Sequence, residues 1–121
     1  INQIDSYETL ISTKEELEDR FGKLSDKLVI YMYQEWFEHL ANKLKIKKVN
    51  QTKDKVEIVI DKDILEKLNG EKLFLEVLKI NTKFKFSMMG KNLIISLNIN
   101  NLDKHFIYYL IDVLFVIEKA M

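Results

Sequence analysis

Between Leu28 and Leu44, large apolar residues recur at every fourth position: Leu28, Met32, Trp36, Leu40 and Leu44. A second row, Val29, Tyr33 and Phe37, lies one place further on. On a strand these rows would fall on opposite faces, whereas on a helix they adjoin and make one broad stripe. The spacing therefore predicts a helix from about Asp26 to Leu44. Its apolar face is wider than a coiled-coil seam, so the helix is expected at the centre of a core, lying across a sheet, with Trp36 inside. Ser25 and Asp26 supply an N-cap hydroxyl and an acid in the first turn.

Upstream, Ser12 and Thr13 each have a glutamate three places on, Glu15 and Glu16, which offers two overlapping capping boxes as a helix start. Asp5–Leu10 reads either as a separate turn or as one continuous helix with Lys14–Phe21, in which Tyr7, Leu10 or Ile11, Leu17 and Phe21 would share a face. Gly22 is placed to end that helix. Glu15–Leu24 is thus expected to be a helix, a tight turn and the approach to the next helix, with Phe21 and Gly22 setting packing and chain reversal.

Downstream the period changes to two. Ile46–Val49 and Val56–Ile60 read as strands around a polar loop, Asn50–Asp54, with Val56, Ile58 and Ile60 on one face. Asp61 or Asp63 is expected to cap a short helix running to Leu68 and ended by Asn69-Gly70. A further helix, Glu71–Leu78, would turn Leu73, Phe74, Val77 and Leu78 inward. Lys83–Met88 and Leu93–Ile99 predict a second hairpin over Met89-Gly90-Lys91-Asn92, in which Phe84, Phe86 and Met88 face the same way as Leu93, Ile95 and Leu97. Asn100-Asn101 would start a last helix from Leu102 to about Lys119. The fold class is α+β: an antiparallel sheet of about four strands in two hairpins, packed with the long helix and the C-terminal helix, in one domain spanning 1–121.

Phe106–Ile117 carries a single charge, Asp112. Twelve residues fall well short of the roughly 20 that cross a bilayer, so no membrane partner is expected. On a helical wheel Leu102, Phe106, Tyr109, Leu110, Val113 and Ile117 form the core stripe, and Tyr108, Ile111 and Phe115 fall behind it. That back face is either a scatter of surface hydrophobes or a docking face.

Charge and composition exclude more than they assign. The 121 residues carry no net formal charge, no cysteine and no proline. A cytoplasmic setting fits, and disulfide, thiol and cysteine–metal chemistry are excluded. The chain opens on Ile1, which reads as the start of a fragment. The basic residues are 18 lysines and one arginine, a bias unlike the arginine-rich sites that grip phosphates. Residues 1–40 nevertheless hold nine acids and four bases, and residues 41–91 thirteen bases and seven acids. Lys43, Lys45, Lys47, Lys48, Lys53 and Lys55 form the one basic run, readable as a solvated surface or as a weak nucleic-acid contact. His39 and His105 stand apart and do not make a ligand set. Asp61/Asp63 and Glu35/Glu38 fit helix capping and helix-surface pairing better than acid–base catalysis. Gly90-Lys91 lacks the rest of a phosphate loop. No catalytic, metal or cofactor site is predicted.

The stretch Asp19-Arg20-Phe21-Gly22, with Leu24 after it and Ala41, Leu44 and Ile46 closing the next helix, resembles the C-terminal domain of the transcription-repair coupling factors, the Mfd proteins. The family typically has prolines where Lys23 and Ser25 stand, and glycine in place of Lys45. The likeness is good from about Thr13 to Val49 and only a pattern beyond. It implies a non-catalytic regulatory domain of a larger, ATP-driven double-stranded DNA translocase that removes stalled RNA polymerase. The domain would hold the N-terminal UvrB-like module of the same protein, mask UvrA binding and restrain the motor. ATP and magnesium would belong to the parent's motor domains. The residues expected at the contact are Glu15, Glu18, Asp19, Glu35 and Glu38, with Tyr108, Ile111 and Phe115 as the second candidate surface. A weak nucleic-acid-binding or homodimeric interaction module is the alternative.

Overall fold

Two hairpins become one sheet because their inner strands pair with each other. The computed structural model describes residues 4–121. The chain forms two compact units, one running to Lys43 and one comprising Leu44–Met121.

The first unit holds α1 (Tyr7–Phe21) and α2 (Asp26–Lys43). α1 is continuous, and it starts at Ser6, not at Ser12 or Thr13. The Ser6 hydroxyl accepts the Thr9 N–H at 3.1 Å and the Thr9 hydroxyl oxygen accepts the Ser6 N–H at 3.0 Å, a closed capping box. With those donors satisfied one and a half turns earlier, Ser12 and Thr13 simply continue the helix. The inward face carries Leu10, 1 % exposed, and Thr13, 7 %. Tyr7 and Phe21, expected on that face, are exposed. Gly22 ends α1 at φ 78°, in the region that favours glycine, and its N–H reaches the Glu18 carbonyl at 2.8 Å. α2 begins as its sequence dictates: Ser25 Oγ accepts the Leu28 N–H at 3.2 Å. Met32, Trp36, Phe37, Leu40 and Ala41 are buried, and the Trp36 ring lies 5.8 Å from Tyr7 and 6.0 Å from Tyr33.

The second unit is built on β1 (Lys48–Gln51), β2 (Lys55–Ile60), β3 (Phe84–Met89) and β4 (Asn92–Asn98), antiparallel throughout in the order β1-β2-β4-β3. Phe84 pairs with Leu97, Phe86 with Ile95 and Met88 with Leu93, the register that the alternation predicts. β2 continues the same face, with Val56 opposite Leu97 and Ile58 opposite Ile95. Its core residues are almost wholly enclosed. Met88 sits on this face but beyond the covered part, exposed near the hairpin tip. The tip is a two-residue loop whose first position, Gly90, takes φ 63°.

Between the hairpins lie α3 (Lys62–Leu65) and α4 (Gly70–Ile80). The Asp61 carboxylate caps α3 by accepting the Ile64 N–H at 3.1 Å. Asn69, expected to end that helix, caps the next one instead by accepting the Lys72 N–H at 3.1 Å. Leu73 and Val77 are buried, whereas Phe74 stays exposed with its ring 4.8 Å from Phe86. The last helix, α5 (Phe106–Ala120), packs against α4 and starts four residues later than its asparagines suggest. Asn101 takes φ 60° in a turn, and the Lys83 ammonium donates to the Asn100 and Asn101 carbonyls at 3.3 and 3.1 Å. That segment is therefore a tied loop, and His105 caps α5. Among the described residues, no helix is long and apolar enough to cross a membrane.

Replacing Ser6 with alanine is expected to cost about 1 kcal/mol of unfolding free energy, the usual worth of an N-cap. Ser12→Ala, in an exposed mid-helix position, should change it by less than about 0.5 kcal/mol. Denaturant titration of the two variants distinguishes this helix start from one at Ser12.

Candidate functional site

The charges of the first unit concentrate on the surfaces of its two helices. Glu15 and Asp19 are exposed and Glu18 half-buried on α1; Glu38 is exposed and Glu35 half-buried on α2. Helical spacing puts Glu15, Glu18 and Asp19 together on one side of α1, and Tyr31, Glu35 and Glu38 together on one side of α2. Tyr31 joins this acidic row through a hydrogen bond to the Glu35 carboxylate, which, with repulsion from Glu35 and Glu38, holds its phenol above the ordinary tyrosine value. Phe21 extends into solvent, 73 % exposed, in the last turn of α1 beside Asp19 and Arg20. Phe21 therefore does not provide the packing expected of it. Its exposure was not legible in the sequence, because a helix-final apolar residue looks the same whether the chain continues over it or leaves. Leu24, half-buried, precedes the Ser25 cap. α1 and α2 thus each carry an acidic side, and Phe21 is exposed at the end of α1.

The second candidate surface is changed by the structure. Ile111 is 3 % exposed, so the back of α5 is not an open apolar face. Ile107, Leu110, Val113, Leu114 and Ile117 are buried as well, which makes α5 apolar nearly all round, the mark of an enclosed helix. Only Tyr108 and Phe115 of the expected trio retain partial exposure. The Lys104 ammonium lies 5.9 Å from the Tyr108 ring and 4.8 Å from that of Tyr109. Phe115 lines a groove of about 370 Å³ between α4 and α5, together with Ile80, Val116 and the charged Lys72, Glu76, Asp112 and Lys119.

A second cleft, about 480 Å³, opens between the end of α4 and the loop before α5. Its wall includes Tyr109, whose hydroxyl donates to the Asp103 carboxylate. That bond, aided by Lys104 and Lys83, holds the Asp103 carboxyl below its ordinary value; the same bond, with burial and the Asp103 charge, raises the Tyr109 phenol. The pair pins the loop to α5.

The histidines have separate duties. His39 is half-buried on α2. The His105 Nδ1 accepts the Ile107 N–H at 3.1 Å, with its ring 4.3 Å from that of Phe106. Burial pushes its imidazole below the ordinary histidine value. Of the basic run, Lys43 ends the first unit, Lys45 takes φ 59° in a turn, and Lys55 is paired with Glu57 at 3.3 Å. Among the described residues, no three His, Cys, Asp or Glu side chains are grouped to hold a metal ion.

A family model described as the TRCF domain matches residues 1–71, covering both acidic helices and continuing through the first hairpin. No curated protein matches. Among solved structures, one described as the crystal structure of the C-terminal domain of transcription-repair coupling factor is similar in fold. Its TM-score is 0.73 and its identity 20 %, over 98 % of this chain and 71 % of that one.

Two outcomes follow. Ile111→Ala should lower stability by about 2–4 kcal/mol in thermal or denaturant unfolding, the cost of a cavity at an enclosed position, which a surface isoleucine would not show. The His105 cap works only with Nδ1 unprotonated. As pH falls below the ordinary value near 6.5, the unfolded chain takes up the proton first, so stability is lost between that value and the depressed folded one. His105→Asn, which keeps a pH-independent cap, should flatten this part of the melting-temperature profile between neutral pH and about pH 5.

Proposed function

The chain belongs to the TRCF domain family, and from that premise we propose that it is a non-catalytic regulatory and interaction domain of a transcription-repair coupling factor. In this reading it closes over the N-terminal UvrB-like module of its own protein, covers the surface that takes UvrA, and restrains the DNA-translocating motor until RNA polymerase is engaged. The observation that carries the proposal is the family match over residues 1–71, which includes every acid of the α1 and α2 surface.

The physical basis is a two-state clamp. A closed and an open arrangement differ by a few kcal/mol, and engagement of polymerase shifts the population toward the open one. Interfaces between domains of one chain are modest and comparatively polar. An acidic face built from Glu15, Glu18, Asp19, Glu35 and Glu38 supplies such a contact against basic residues, and it separates more readily than an apolar seam would. The loss of Ile111 as a surface residue favours the acidic face over the back of α5. ATP and magnesium have their place in the parent's motor, and contact with double-stranded DNA runs through that motor.

The test is reconstitution. Added in trans to the UvrB-like module, this domain should block UvrA capture. Reversing the charge of Glu15, Glu18 and Asp19 together should restore capture and, in the full-length parent, raise basal ATPase about tenfold, within the range of ordinary allosteric couplings. Unchanged capture and unchanged ATPase would exclude the acidic face as the latch.

A further inference from the structure

The second hairpin has an open side. β3 is the last strand in the order β1-β2-β4-β3, so beyond the Phe84 N–H, which the Asn81 carbonyl accepts at 3.3 Å, alternate backbone N–H and C=O groups toward Met89 point away from the sheet. Lys85 and Ser87 are exposed along it, and Met88 and Met89 are 57 % and 68 % exposed. Phe86, half-buried, stacks against the exposed Phe74, which extends the apolar surface from the strand onto α4. An apolar shelf thus lies along an unpaired edge.

Charge decides what fits there. Between Glu76 and Asp103 the sequence has four lysines and no acid, in a chain of zero net charge. Lys79 is paired with Glu76 at 3.1 Å, and Lys83 is engaged with the carbonyls before α5. Lys85 stands exposed in mid-strand opposite Ser96, and Lys91 is exposed in the turn. A lysine on an open edge resists pairing with a neutral strand or with a second copy of the same hairpin. A strand bearing a carboxylate opposite it converts that repulsion into a favourable cross-strand pair.

We propose that β3 is a docking edge for an extended acidic segment of a partner protein, in which apolar residues alternate with Asp or Glu. The segment adds a strand through backbone hydrogen bonds. Its apolar side chains lie on Phe86, Met88 and Phe74, and its carboxylates face Lys85 and, at the turn end, Lys91. This edge belongs to the sheet unit and does not rely on the acidic helices, so it stands or falls separately from the function proposed above.

The experiment titrates the isotope-labelled 121-residue chain with a short peptide alternating valine and glutamate, following amide shifts and hydrogen exchange. Shifts and slowed exchange should centre on Lys85–Met89. Lys85→Glu, at an exposed position that leaves the core untouched, should weaken binding about tenfold and confer binding to the valine–lysine peptide. The same valine–glutamate peptide N-methylated at alternate residues should not bind, which tests the edge without altering the protein. Absence of binding at millimolar peptide, equal binding of the lysine or N-methylated peptide, or perturbations centred away from β3 would each overturn the proposal. So would tighter binding of a single-stranded oligonucleotide, or a concentration-dependent mass showing the edge closed by a second copy.

Discussion

Pairing of β2 with β4 is what makes the sheet unit possible. A two-stranded hairpin in water is marginal by itself. Setting Val56 against Leu97, Ile58 against Ile95 and Ile60 against Leu93 merges two half-faces into one apolar surface. A slip of one residue would turn that whole surface outward, so burial itself enforces the register. The ends of the two hairpins are tied as well: the Ile99 N–H reaches the Asp54 carbonyl at 2.9 Å, and the Asn100 side-chain amide reaches the Asp54 carboxylate at 3.2 Å. The same arrangement sends β3 to the outside. The strand that completes the apolar face is therefore also an edge strand.

The acidic surface has a different origin. In the first unit two amphipathic helices turn their apolar rows inward, and the acids fall on the outer rows because helical geometry leaves them nowhere else. Tyr31 joins Glu35 and Glu38 on the outer side of α2, and Phe21 is exposed where α1 ends.

Much of this was legible in the residues. The four-residue row from Leu28 to Leu44 marked α2, and strict alternation marked the second hairpin down to its pairing, because period and register follow from local geometry. The motif Asp19-Arg20-Phe21-Gly22 pointed to the family that the match over residues 1–71 then established. Helix starts were less legible. Ser6, Ser12 and Thr13 all have capping chemistry, and the reciprocal Ser6–Thr9 bonds together with the burial of Leu10 and Thr13 select the first. His105 displaced Asn100-Asn101 because Lys83, distant in sequence, holds that loop. Exposure was least legible. Ile111 and Phe74 have similar hydropathy and opposite fates, since each depends on what the rest of the chain places over it.

A latch made of the acidic face on α1 and α2, closed on the UvrB-like module, must respond to ionic strength. Attraction between exposed charges is screened within about 10 Å at 0.1 M salt. Affinity between the isolated domain and that module, measured from low to high salt, should fall steeply, and the fall should flatten when Glu15, Glu18 and Asp19 are neutralised. A salt-independent affinity, unchanged by those substitutions, would rule out the acidic latch and place the contact on an apolar surface elsewhere.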